Sequence, residues 1–180
     1  HLHLPFQSGN DRVLQEMNRH YNRAQYLELV QYAKKVIPDI SLTSDVIVGF
    51  PGETYAEFQD TLSLIKKVQF TSLFTFIYSP RKGTRAAKLP DPVPAEEKSR
   101  WFQELCTTQE QIAAKRCASA VGTVQRVLVE EQNPKTGLLT GRTSGNIIVD
   151  FPGDPTICGT FQMVKITEAR NWILTGKLAD

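Results

Sequence analysis

Ser44-Asp45-Val46-Ile47-Val48-Gly49-Phe50-Pro51-Gly52-Glu53-Thr54 is the stretch that decides the fold class. Val46, Ile47 and Val48 form an apolar, β-branched run, the pattern of a strand covered on both faces. The strand begins near Ile40, and Gly49-Phe50-Pro51-Gly52 turns the chain at its carboxyl end. A helix follows, starting near Glu53, where a negative charge is favoured, with Phe58, Leu62 and Ile65 on one face. Downstream, Ser72-Leu73-Phe74-Thr75-Phe76-Ile77 reads as the next strand. Upstream, residues 23–37 read as a helix with Tyr26, Val30, Ala33 and Ile37 at helical spacing, stopped by Pro38. Before it come a short helix carrying Val13, Leu14 and Met17 and an opening strand, His1-Leu2-His3-Leu4, ended by Pro5. Strands separated by helices in this way form a parallel sheet.

Beyond the third strand, residues 78–93 are a Pro-, Gly- and base-rich loop. Loops of that length at the carboxyl end of a parallel strand are often functional. Pro94 suits the first position of a long helix, with Glu96 and Glu97 in its first turn and Phe102, Leu105 and Ile112 facing inward. After Ala120 the pattern changes. Short strands are expected over residues 123–130, 138–141, 147–151, 161–166 and 172–176, between Gly and Pro turns. That spacing predicts a small, all-β, OB-like barrel. The expected division is therefore an α/β domain over residues 1–120 and a barrel over residues 121–180.

Composition narrows the function classes. Hydrophobic residues at 41% and charged residues at 22% can supply a core, so disorder does not dominate. A net charge of +2 does not identify a nucleic-acid binder. After residue 120, Arg126, Lys135, Arg142, Lys165, Arg170 and Lys177 face Glu130, Glu131, Asp150, Asp154, Glu168 and Asp180. Six bases against six acids leave that segment neutral, so RNA contact there depends on local arrangement. Cys106, Cys117 and Cys158 are odd in number and lack CxxC spacing, so neither a disulfide framework nor a metal site is expected. Free thiols suit a reducing cytoplasm, and the apolar runs are too short to span a bilayer. The opening residues read like the middle of a pattern and suggest that a further segment precedes them.

Several blocks together resemble one family. They are His1-Leu2-His3-Leu4-Pro5-Phe6-Gln7-Ser8-Gly9, Asp11-Arg12-Val13-Leu14, Met17-Asn18-Arg19, the 44–54 stretch, and Phe76-Ile77-Tyr78-Ser79-Pro80-Arg81-Lys82-Gly83-Thr84. In this order they resemble the C-terminal part of the radical-SAM β/α half-barrel of methylthiotransferases. Residues 122–176, with Gly141-Arg142-Thr143 and Val149-Asp150-Phe151, resemble the TRAM domain that follows it. Asn146-Ile147-Ile148-Val149-Asp150-Phe151 looks most like the subgroup that converts isopentenyladenosine beside the tRNA anticodon to its 2-methylthio derivative. Subgroups acting on threonylcarbamoyl-adenosine or on a ribosomal-protein aspartate, and a non-enzymatic RNA-binding protein, are the alternatives.

The resemblance implies S-adenosylmethionine and two [4Fe-4S] clusters as cofactors. It also implies a tRNA anticodon stem-loop as partner, an electron donor, and a monomer. The family's CxxxCxxC motif and its further three cysteines are absent from this chain, so no metal ligand is assigned and the chain alone is expected to be inactive.

Ligands of such folds bind at the carboxyl ends of the strands. The candidate cofactor residues are therefore His3, Gln7 and Ser8 after the first strand, and Asp45, Gly49, Phe50 and Gly52 on and after the second. Arg81, after the third, completes the set. Ser8 serves equally as a helix cap, and the glycines equally as a plain strand-to-helix turn. Asp45 sits in a strand that otherwise reads as buried, so its carboxylate is paired or lies at the site. Arg81 suits a carboxylate or phosphate, or is a solvated loop charge. In the barrel, Arg126, Arg142 and Lys165 are the candidate RNA contacts. Phe151, Phe161 and Trp172 are either stacking platforms or core. Cys106 and Cys117 read as packing residues.

Overall fold

The computed structural model describes residues 1–179. Leu2–Gln109 forms one compact unit, and the segment from Glu110 onward forms another. In the first, β1 (Leu2–His3), β2 (Leu42–Val48) and β3 (Ser72–Ile77) make a parallel sheet in that order. The helices α1 (Asp11–Glu16), α2 (Arg23–Val36) and α3 (Tyr55–Val68) lie between the strands in sequence, and α4 (Ala95–Ser119) follows β3. Parallel pairing requires crossovers of this kind, because the chain must return to the same end of the sheet before each new strand.

The helix ends follow from side chains that satisfy free backbone amides. Asn22 with Gln25, and Thr54 with Glu57, form capping boxes at α2 and α3. Glu53 is therefore not part of α3; it precedes the cap and turns back toward Gly49. Asn10, not Ser8, caps α1 by accepting from the Val13 amide. Ile37 is 53% exposed rather than buried, because α2 ends at Val36 and the chain there turns extended. On α4 Trp101 takes the inward place expected of Phe102, and its ring stacks on Phe58 at 5.5 Å. Phe6, Phe58, Phe70, Leu62 and Ile65 are fully buried and form the centre of this unit.

The second unit is a closed five-stranded barrel, in the order β4-β5-β6-β8-β7. Its strands are β4 (Val124–Gln132), β5 (Leu139–Thr143), β6 (Ile148–Phe151), β7 (Phe161–Arg170) and β8 (Ile173–Leu178). Alternation fixes its interior: Val127, Val129, Val149, Phe151, Val164 and Ile166 all point in and are fully buried. Phe151 is thus a core residue, not a base-stacking one. Cys117, from the end of α4, joins that core, whereas Cys106 lies beside Thr75 in the first unit. Gly141 and Gly176 each leave no space for a Cβ against a neighbouring strand, so the barrel closes tightly at both.

Candidate functional site

β2 presents two different faces. Leu42, Ser44, Val46 and Val48 are fully buried, while Thr43, Asp45 and Ile47 point to the other side. In register with them on β3 stand Phe74, opposite Asp45, and Phe76, opposite Ile47, each about half exposed. His3, beside Thr43 on β1, completes this face. Its Nδ1 lies 2.9 Å from Thr43 Oγ1, its Nε2 lies 3.5 Å from Asp45 Oδ1, and its ring meets Phe74 edge-on. The Asp45 carboxylate thus has a partner and remains one-third exposed toward the open face.

At the carboxyl ends of the strands this face runs into a cavity of about 480 Å³. Gln7, Asp45 and Arg81 line it, so three of the eight expected cofactor residues share one wall. Gln7 gets there at a cost. Its backbone bridges to β2, accepting from Ile47 and donating to Asp45, and this holds it at φ 64. A non-glycine residue in that conformation is strained by roughly 1–2 kcal/mol. Strain of that kind collects at ligand-binding positions. Ile47 and Phe76 add apolar wall, and Tyr78, Thr84 and Arg19 add polar groups. Arg19 follows Asn18, which is left-handed at φ 58, and this turn after α1 aims it at the cavity. The Tyr78 hydroxyl is buried and has no hydrogen-bond partner among the described residues.

His3 touches the cavity only through Asp45. Ser8, Gly49, Phe50 and Gly52 do not line it. Ser8 is 1% exposed, and its Oγ accepts from the Asn10 amide at 3.3 Å. Phe50 packs edge-on against Tyr78 and so supports the cavity wall from behind. The turn from Gly49 to Glu53 is fixed from three sides. Glu53 Oε2 accepts from the amides of Gly49, at 2.6 Å, and Phe50, at 3.2 Å. The Lys98 stem fills the space that a Cβ on Gly49 would need, and its Nζ lies 2.5 Å from Asp91. Arg12 donates to the Gly52 carbonyl at 2.8 Å and to Glu57.

Burial sets the electrostatics of this turn. Glu53 is 1% exposed and its Oε1 has no partner among the described residues, so desolvation raises its carboxyl to about 7 against the pull of the two amides. Glu57 goes the other way, to about 2, because Arg12 and the Thr54 groups stabilise its charge. Arg19 and the Glu53 staple are not legible in the sequence, whereas Tyr78 is, as the first residue of the loop after the third strand.

The cavity fits a ligand with a flat ring and both a cationic and an anionic group: Ile47 and Phe76 offer flat apolar surface, Asp45 an anion and Arg81 a guanidinium. S-adenosylmethionine has these features. An iron–sulfur cluster does not fit the residues present, since no cysteine lines the cavity. Among the described residues no group of three metal-ligating side chains converges.

On the barrel, Arg126 and Lys165 share an outer face, whereas Arg142 lies on β5 and is engaged by Glu130 and Asn146, each at 3.2 Å. Among the described residues no helix is long and apolar enough to cross a membrane.

Comparison with known proteins gives the context. Residues 1–65 match the radical SAM superfamily, and residues 118–179 match the TRAM domain. A tRNA-2-methylthio-N(6)-dimethylallyladenosine synthase from Geobacillus thermodenitrificans is 48% identical over the whole chain and is covered to 35% of its own length. Proteins of the same name from Caldicellulosiruptor saccharolyticus and Moorella thermoacetica are 47% and 45% identical, over 96% and 100% of the chain, with 37% and 41% of their own lengths covered. The chain thus spans little more than a third of the length of the curated relatives it matches. Coproporphyrinogen III oxidase from Escherichia coli, described as a radical SAM enzyme, shares the fold over 62% of this chain and 26% of its own, with a TM-score of 0.53 at 24% identity.

Proposed function

We propose that this chain, whose residues 1–65 match the radical SAM superfamily and whose residues 118–179 match the TRAM domain, is part of a tRNA methylthiotransferase. The reaction is conversion of isopentenyladenosine, beside the anticodon, to its 2-methylthio derivative. The observation that carries this reading is identity of 45–48% across both segments at once to synthases of that name.

The residues of this chain divide the work between two surfaces. In the cavity, Arg81 holds the carboxylate of S-adenosylmethionine, Asp45 its polar edge, and Ile47 and Phe76 the adenine. Gln7 supplies a further hydrogen bond, and Tyr78 adds to the wall. If bound there, S-adenosylmethionine would supply hydrogen-abstraction chemistry toward the tRNA base and, separately, the methyl group of the product, with the electron and the sulfur coming from the iron–sulfur clusters of the whole enzyme. His3 acts through Asp45: its ring, fixed by Thr43 and Phe74, sets where that carboxylate points. Gly49, Phe50 and Gly52 shape the wall rather than touch the ligand, with Glu53, Lys98 and Arg12 holding them. The iron–sulfur clusters, the electron donor and recognition of the anticodon stem-loop belong to the whole enzyme, and the barrel supplies part of its grip on RNA.

The test uses the gene's full-length product, purified without oxygen. Asp45→Ala and Arg81→Ala should each weaken S-adenosylmethionine binding at least tenfold while iron and sulfide content stay at the wild-type level. Wild-type affinity in both variants overturns the cavity assignment. A product that holds no cluster and cleaves no S-adenosylmethionine overturns the enzymatic reading.

A further inference from the structure

The barrel is neutral as a sequence, yet its charges do not cancel evenly in space. Arg142 pairs with Glu130 at 3.2 Å and Arg170 with Glu168 at 3.0 Å. Asp150 accepts from the Thr140 hydroxyl, and Asp154 from the Thr156 amide. Lys135 sits apart, on the turn between β4 and β5. Arg126, Lys165 and Lys177 have no carboxylate partner among the described residues, and they fall together.

Strand parity puts them together. Val127, Val164 and Ile166 point into the barrel, so Val124, Arg126, Phe161, Met163 and Lys165 point out. Val124 stands opposite Lys165, Arg126 opposite Met163, and Lys165 opposite Lys177. Directly opposed residues share a face, so three unpaired cations line the outside of β4, β7 and β8. Apolar surface is exposed among them: Phe161 at 55%, Met163 at 49% and Val124 at 47%. The Arg126 guanidinium lies over the Phe161 ring, 3.8 Å from its centroid.

We propose that this face is a platform for an unpaired nucleotide of RNA. The base stacks on the Arg126–Phe161 pair, and Lys165 and Lys177 take the flanking phosphates. The proposal rests on the tRNA reading above and deepens it, by assigning the surface and the kind of nucleotide. Phosphate docking alone needs cations and no aromatic ring, and it leaves the exposed Phe161 and Met163 unexplained. An RNA duplex hides the faces of its bases, so it cannot use a stacking surface. A flat ring, a planar guanidinium and nearby lysines are what a single-stranded nucleotide uses. An acidic protein meets the charges but has no use for the stack.

The experiment measures binding of the full 180-residue chain to a labelled single-stranded oligouridylate, a blunt RNA duplex of matched length, and whole tRNA, across a salt series. Single strands should bind more tightly than duplex. Phe161→Ala should weaken single-strand binding roughly 5- to 150-fold with the salt slope unchanged, because stacking carries no counterion release. Phe161→Leu, which keeps apolar bulk and loses the ring, should also weaken it. Lys165→Ala and Lys177→Ala should each lower the slope by about 0.7. Thermal melting should be unchanged in the Phe161 variants, since the side chain is mostly outside the core. Wild-type binding by both Phe161 variants, preference for duplex, or equal competition by polyglutamate each overturns the platform. If tRNA binds and no variant on this face affects it, the platform falls and the tRNA reading stands. If no RNA binds at all, the tRNA partnership assigned to this chain falls with it.

Discussion

Glu53→Gln should make the first unit more stable at alkaline pH and leave it nearly unchanged in mild acid. Glu53 is buried, its Oε2 accepts from two amides, and its Oε1 faces nothing that stabilises a charge. Its carboxyl rises from 4.5 to about 7 on folding. The folded state therefore holds the proton more tightly than the unfolded chain. The stability this confers is complete below about 4.5 and is lost as pH rises through about 7.

At 1.36 kcal/mol per pH unit, the whole loss is about 3 kcal/mol, of which about 2 to 3 falls between about pH 5 and pH 8.5. Glutamine keeps the acceptor for Gly49 and Phe50 and cannot ionise. The assay is denaturant unfolding followed by Trp101, in a Trp172→Phe background so that only the first unit reports. Trp101 is buried beside Phe58, whereas Trp172 is on the barrel surface. Every other ionisable group is common to both proteins, so the difference between the two profiles isolates Glu53. Parallel profiles would refute the reasoning.

Three further outcomes are expected. Gly9→Ala should destabilise by about 1–3 kcal/mol in the same unfolding assay, because its Cβ would lie 2.6 Å from Thr61 Cα and 2.7 Å from the Asp60 carbonyl. Arg12→Ala removes the guanidinium that keeps Glu57 at about 2, so stability present above about 4.5 and lost as pH falls through about 2 should shrink. Because Arg12 is half exposed, the neutral-pH cost should be no more than about 1 kcal/mol, read from unfolding at both ends of the pH range. Tyr78→Phe removes a buried hydroxyl without a partner, so thermal unfolding should show the chain equally or more stable.

Much of the fold was legible because periodicity reports burial directly. Phe58, Leu62 and Ile65 mark α3, and the five short apolar runs after Ala120 mark the five barrel strands. Helix ends were less legible. Glu53 and Glu57 are both acids near one helix start, and only backbone geometry separates the residue that staples the turn from the one that completes the cap. The candidate site was partly legible. Asp45 and Gln7 follow from their position at strand ends, but Arg19 reaches the cavity through a left-handed Asn18 that no pattern announces.

On the barrel, Phe151 and Phe161 are the same residue type with opposite fates, decided by strand parity: Phe151 alternates with the inward Val149, and Phe161 with the outward Met163. Arg142 reads from the sequence as a candidate RNA contact, and what the sequence does not announce is that the antiparallel register of β4 and β5 brings Glu130 to it from twelve residues away.

The most direct test of the account is mass spectrometry of tRNA nucleosides from cells with and without the gene. The account predicts that deletion removes 2-methylthio-isopentenyladenosine and lets isopentenyladenosine accumulate, and that the intact gene, but not one carrying Asp45→Ala with Arg81→Ala, restores it. Unchanged 2-methylthio-isopentenyladenosine in the deletion strain, or loss of the methylthio group from threonylcarbamoyl-adenosine instead, would contradict it.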